Sequence, residues 1–246
     1  MYIVPVEKNR MKLNAFLCAT ALLAAASLAS ADDHAVLFRE DFANLDSWKP
    51  FTFPKIKKHS LYTIATEGKK HILKTESSAS ASAIVYRDVF DVYTHPRVKW
   101  RWKVHNVYAK GDVRSKEGDD YPVRVYIMFE YDPGKAGFVE GIKYGFAKSL
   151  YGEYPPHSSL SYIWSSRDDP GTFVISPYTD KAVMVLLEKG PSKVGTWVDE
   201  EIDILADYQK AFKTKPPARA RIAIMNDSDN TGESAVSWLE YIEVFK

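Results

Sequence analysis

The sequence has 246 residues, with 33 Lys and Arg against 32 Asp and Glu, a formal net charge of +1, 46% hydrophobic residues and one cysteine. Charge this evenly balanced argues against a nucleic-acid partner, which needs a basic excess, and a single cysteine excludes a disulfide framework. A chain of this length without crosslinks has to be held by its core, and one large domain suits it.

The first residues read as a secretory signal peptide, 1–31. Lys8, Arg10 and Lys12 form a basic start, and Leu13 to Leu28 is apolar apart from Asn14, Thr20 and Ser27. Ala29-Ser30-Ala31 then supplies the small residues of a cleavage site before Asp32-Asp33. The apolar run is too short for a comfortable membrane span, so export to the periplasm or beyond is expected, with no membrane span after a cut following Ala31. Translation starting at Met11 instead of Met1 would leave that signal intact. Cys18 lies inside it, and Asn14-Ala15-Phe16-Leu17 makes a poor lipoprotein site. The remaining 32–246 carries no cysteine and no dividing linker.

Along that remainder, Val36 to Phe42 reads as a first strand ending in Glu40-Asp41. Leu61 to Ala65 and His71 to Thr75 flank Glu67-Gly68-Lys69-Lys70 and read as a hairpin, with glycine supplying a positive φ. Ser77 to Ala83 is nearly all Ser and Ala, either a strand closely approached by another segment or a loop. Another strand follows to Val89. In Val98 to Val104, Trp100, Trp102 and Val104 face one way and Lys99, Arg101 and Lys103 the other. That basic face is either plain solvated surface or a stripe on the concave side of a sandwich.

Tyr108 to Tyr121 is a long charged loop, of a length that is more often functional than connecting. Val123 to Tyr131 alternates as a strand. Between Asp132-Pro133-Gly134 and Tyr154-Pro155-Pro156 the period changes, and Phe138, Ile142, Phe146 and Leu150 predict an inserted amphipathic helix near 136–150. Leu160 to Trp164, Thr172 to Ser176, Ala182 to Glu188 and Trp197 to Ile204 read as further strands. A short helix is expected near 205–212, stopped by Lys215-Pro216-Pro217.

The chain closes with two strand-like runs around Asp227 to Glu233. The first, near Ile222 and Ile224, is apolar on both faces. In the second, Val236, Trp238, Ile242 and Val244 share one face. These runs predict a closing hairpin deep in a packed sheet with a site at its tip. The fold class expected from the whole is all-β: an antiparallel β-sandwich of jelly-roll or concanavalin-like form.

Asp227-x-Asp229-x-Thr231-Gly232 imitates the start of a calcium loop, where alternating oxygens wrap a hard cation. It lacks the closing acid, since Trp238 stands at that position, and a turn in which Asp and Asn bond their own backbone also fits. No cofactor is expected beyond Ca2+ held by Asp227, Asp229 and Thr231. Glu240 lies on the Trp238 face, so burial would demand a partner or a proton; a β-bulge would turn it outward, and an ion pair with an arginine is the commoner outcome. Glu40 and Asp41 would join it at one edge if first and last strands pair. The six histidines have no zinc-ligand spacing, and no nucleophile or phosphate-loop signature is present. The candidates for acid–base chemistry are Glu117, Asp119 and Asp120 with Tyr154 and His157.

Phe38-Arg-Glu-Asp-Phe42, Lys99-Trp-Arg-Trp-Lys103, Glu117-Gly-Asp-Asp-Tyr-Pro122, Tyr151-Gly-Glu-Tyr-Pro-Pro-His157 and Asn226-Asp-Ser-Asp-Asn-Thr-Gly-Glu233 resemble a bacterial exported family known as domain of unknown function 3047. The resemblance spans Phe38 to Phe245 and implies a single domain, with no activity or cofactor attached. The chain's two ends are similar, more loosely, to those of carbohydrate-binding jelly rolls. The leading expectation is therefore a non-catalytic exported β-sandwich binding a glycan or similar polar ligand. Its candidate contacts are Trp100, Arg101, Trp102, Lys103, Asp119, Asp120 and Glu240. The alternatives are a polysaccharide hydrolase or lyase, and an envelope interaction or scaffolding protein.

Overall fold

The period-two stretches become strands in the computed structural model, which describes residues 1–2, 35–134 and 154–246. The helix expected near 136–150 and the signal segment beyond Tyr2 lie outside the described residues. In chain order the elements are β1 (Val36–Glu40), β2 (Trp48–Phe51), β3 (Leu61–Glu67), β4 (Lys70–Ser78), β5 (Ala81–Tyr86), β6 (Phe90–Asp91) and β7 (Arg97–Val104). Then follow β8 (Arg124–Phe129), β9 (Ser158–Ser165), β10 (Phe173–Ser176), β11 (Thr179–Lys189), β12 (Val198–Asp203), α1 (Ile204–Phe212), β13 (Arg219–Asp227) and β14 (Ser234–Phe245). Residues Val36–Lys246 form one compact unit.

Two sheets face each other. The six-stranded sheet runs β12-β7-β14-β4-β3, with β1 pairing the far half of β14. The eight-stranded sheet runs β10-β11-β9-β8-β13-β5-β2, with β6 beside β13. Between them lies an aromatic core: Trp100 stands 5.6 Å from Tyr162 and Trp102 stands 6.0 Å from Trp164, ring centre to ring centre. This is the expected all-β sandwich with one departure, a parallel pair between β9 and β11. β10 lies outside them as an edge strand, so the chain passes over before returning as β11.

Several local expectations follow their chemistry. β3 and β4 pair from Glu67↔Lys70 upward, and Gly68 takes φ 64° at the first of the two turn residues, the position a tight hairpin reserves for glycine. Asp203 caps α1 by accepting from Ala206 N at 2.9 Å, and Lys213 closes it in the left-handed region at φ 59°. β1 pairs β14, with Glu40 opposite Ile242. The carboxylates there do not gather, because Glu40 accepts from Phe42 N and Trp48 Nε1 while Arg39 spans Asp41 and Glu243.

The closing hairpin is a correction. β13 belongs to the eight-stranded sheet and β14 to the six-stranded one, so the loop between them is an arch across the sandwich. The segment Ser77–Ala83 makes a second arch from β4 to β5, and the two stack: Ala79 N donates to Glu233 O and Ser228 N to Ser80 O, both at 2.9 Å. Each arch thus satisfies the other's backbone, which a hairpin would do within itself. The Ser and Ala side chains are small because the segment is closely approached: Ser60 Oγ lies 3.2 Å from Ser80 Oγ, and Ser82 Oγ donates to Ser60 O at 3.1 Å.

One acid points into the core. Glu200, opposite Trp100 on β12, accepts from Trp102 Nε1 at 3.2 Å. Burial, with Glu188 nearby, pushes its carboxyl up to about 7, against the pull of Trp102 and of Lys193, which pairs Glu188 at 2.6 Å. The unfolded carboxyl titrates near ~4.3. Between those values the folded chain holds a proton that the unfolded chain has released, so stability falls as pH rises through the window. Glu200→Gln is expected to flatten that slope and to be the more stable protein at pH 8. Urea titrations at pH 5 and 8 check this, and an unchanged slope refutes it.

Candidate functional site

The outer face of the six-stranded sheet is built by β7, β12, β14 and the β3–β4 hairpin. Arg97, Lys99, Arg101 and Lys103 alternate outward because their neighbours Val98, Trp100, Trp102 and Val104 fill the core. Across the strands the cations meet acids: Arg97 pairs Glu201, Lys99 pairs Glu243 at 2.8 Å, Arg101 reaches Glu240 at 3.5 Å and Asp199 at 3.7 Å, and Lys103 reaches Glu67 at 3.5 Å. The pair of Arg97 and Glu201, exposed on both sides, adds about 0–1 kcal/mol, while Glu240 and Glu243 lie largely covered beneath their cations. The larger effect of these pairs is to hold long side chains flat on the sheet.

Two half-buried indoles stand among them. Lys103 Nζ lies 4.4 Å from the Trp197 ring centre and 4.9 Å from that of Trp238, so one ammonium fixes both rings. Trp197 Nε1 donates to Glu67 Oε2 at 3.2 Å, and His105 meets Trp238 edge-on at 6.5 Å. Past His105 the face opens into a groove of about 430 Å³ lined by Lys58, Leu61, Glu76, His105, Asn106 and Val236. Leu61 is 61% exposed there, a large apolar side chain left to solvent at the groove's rim.

A β-bulge puts Trp238 on this face. The register between β14 and β7 shifts between Leu239 and Tyr241, leaving Glu240 as the extra residue. An extra residue flips every side chain beyond it to the other side of the sheet. Ile242 and Val244 therefore point into the core while Val236 and Trp238 point out, correcting the single face read for all four. Glu240 itself turns outward to Arg101 and Lys70, so of the alternatives open to it the bulge and the arginine pair both apply.

A second assembly lies under the arches. Arg124, 5% exposed on β8, donates through Nε to Asp227 Oδ1 at 3.0 Å and through Nη2 to Asp227 Oδ2 and to Asp119 O at 2.8 Å. Asp120 accepts from Thr231 N at 2.5 Å and Asn230 N at 3.4 Å, tying the long charged loop to the β13–β14 arch. Oxygens of Asp120, Asp227 and Asp229 all lie within 4.8 Å of one another. Burial raises the Asp227 carboxyl to about 7 despite Arg124, with Asp120 and Asp119 adding to the rise, and burial and Asp120 raise Asp229 as well.

The structure divides the candidate residues between these two places. Arg101, Lys103 and Glu240 meet on the outer face. Trp100 and Trp102 do not: both are 0% exposed, packed edge to face at 5.4 Å, and they fill the core instead of offering a stacking surface. Asp119 and Asp120 are buried with Arg124 and the arch, away from a ligand surface. Asp120 joins Asp227 and Asp229 there, while Thr231 Oγ1 accepts from Glu233 N and its carbonyl from Lys110 Nζ.

The acid–base group is not assembled either. Glu117 is exposed, and Tyr154, packed 5.3 Å from Tyr131, and His157 sit where β8 ends, whereas Asp119 and Asp120 sit where it begins. That strand of six residues puts roughly 17 Å between them. Sequence reading missed Arg124, Trp197 and the outward Trp238. A lone arginine in the alternation of β8 was the available signal for the first.

Against solved structures the chain is similar to a family 11 carbohydrate-binding module from Clostridium thermocellum in complex with a β-1,3-1,4-mixed-linked tetrasaccharide. That match has 11% identity and a TM-score of 0.41, over 87% of this chain and 96% of that one. It is also similar to Crh5 transglycosylase in complex with NAG (10%, TM-score 0.42, 87% and 86%) and to Trichoderma harzianum endoglucanase 3 from family GH12 (9%, TM-score 0.38, 88% and 96%). No curated protein matches the sequence. Residues 46–243 match the model of a family described as protein of unknown function, DUF3047.

Proposed function

We propose that this chain, which belongs to the DUF3047 family, binds a glycan along the outer face of its six-stranded sheet, without catalysis. The observation carrying this reading is the pair Trp197 and Trp238, held by Lys103 and running into the groove at His105 and Leu61. A sugar ring presents an apolar C–H face and a polar rim. Fixed indoles take the first, and the carboxylates, amide and ammonium groups around them take the second. The cations of β7 are already paired with acids, so the face suits an uncharged polysaccharide over an anionic one.

The reading is checked by electrophoresis through gels containing neutral and acidic polysaccharides, mixed-linked β-glucan among them, followed by calorimetry on whichever retards the protein. Trp238→Ala is expected to weaken binding about tenfold, the equivalent of one lost stacking contact. No retardation across the panel, or retardation of Trp238→Ala and Trp197→Ala equal to that of wild type, would defeat it.

A further inference from the structure

We propose that Asp120, Asp227 and Asp229 form a binding site for a hard divalent cation of the calcium class, clamping the long charged loop to the β13–β14 arch. The three residues come from segments a hundred positions apart, yet place one carboxylate oxygen each within 4.8 Å of the others. Oxygens that sit 2.3–2.6 Å from a shared Ca2+ have about that spacing. All three donors are carboxylates, a set that suits Ca2+ and not the softer metals that prefer nitrogen and sulfur.

Charge supplies the reason for an ion. Asp119, Asp120 and Asp227 are buried and Asp229 is half-buried, and the one guanidinium among them is that of Arg124. Four carboxylates against one cation in a water-poor site is costly without a further positive charge. Lys110 does not supply it to the carboxylates, since its ammonium donates to Thr231 O at 2.9 Å.

The second observation is Asp119. Its side chain is 8% exposed and shares the guanidinium that holds Asp227, with Oδ2 at 3.5 Å from Nη1. Its Oδ1 is buried and has no hydrogen-bond partner among the described residues. A buried carboxylate oxygen that no donor reaches, on a residue sharing the guanidinium that holds Asp227, is what a water on a bound ion would satisfy.

The full chain is stripped with EDTA, dialysed, and followed by thermal unfolding with Ca2+, Mg2+ or Zn2+ added at millimolar levels, and by Tb3+ luminescence excited through the nearby tyrosines. Ca2+ is expected to raise Tm by roughly 5 °C, and Tb3+ emission should be displaced by Ca2+. Asp120→Asn and Asp227→Asn touch buried bonds and are liable to misfold. Asp229→Asn, on the half-buried residue, is the deciding variant: its metal-free Tm should equal or exceed wild type, one crowding charge being gone, while the Ca2+ shift and Tb3+ emission disappear. Absence of both signals in wild type, an equal shift in Asp229→Asn, or a response to Zn2+ alone would overturn the site.

Discussion

Replacing Arg124 by alanine is expected to destabilise the fold by about 3–5 kcal/mol, the range for breaking a buried ion pair from one side, and to lower Tm by roughly 10 °C. The cause is what stays behind. Asp227 would lose its bonds to Nε and Nη2, Asp119 would lose those to its carbonyl and Oδ2, and Asp120 would stand beside two unneutralised carboxylates. The Tyr121 ring, over which the guanidinium lies at 4.4 Å, would lose its packing partner as well. Urea unfolding measures this directly, and a change below about 1 kcal/mol would mean that the pair is solvated and structurally idle.

Trp102→Ala is expected to destabilise by a comparable about 3–5 kcal/mol, whereas Trp238→Ala should stay within about 1 kcal/mol of wild type. The first ring is wedged between Trp100 at 5.4 Å and Trp164 at 6.0 Å, with its indole nitrogen on Glu200. The second is half-buried against Lys103 and His105 on the outside of the sheet. The two variants separate a tryptophan that holds the sandwich together from one placed to meet a ligand. Equal losses in parallel unfolding titrations would erase that division.

Much of the architecture was readable where the information is local. Strand alternation, the Gly68 turn and the short helix near 205–212 each depend on a few adjacent residues, whereas the bulge at Glu240 broke an alternation that looked continuous. Pairing across the sandwich was not readable. The pattern of β13 and β14 states which side chains are apolar but not which strands they meet, so an arch and a hairpin look alike. The acidic cluster was half legible for the same reason. The spacing of Asp227 and Asp229 suggested oxygen ligands, but Asp120 joins them through the fold alone. Trp100 and Trp102 misled because a two-tryptophan alternation looks the same whether it faces solvent or the opposite sheet.

The arches also bear on how the molecule assembles. β14 draws its neighbours β1, β4 and β7 from residues 36–104, while the adjoining β13 inserts between β5 and β8 in the other layer. Contacts of such long sequence separation place the chain among slow folders, on the order of milliseconds to seconds. With one contiguous stretch lacing both layers, neither sheet has a complete centre until that stretch arrives, and the two layers have to consolidate in a single event.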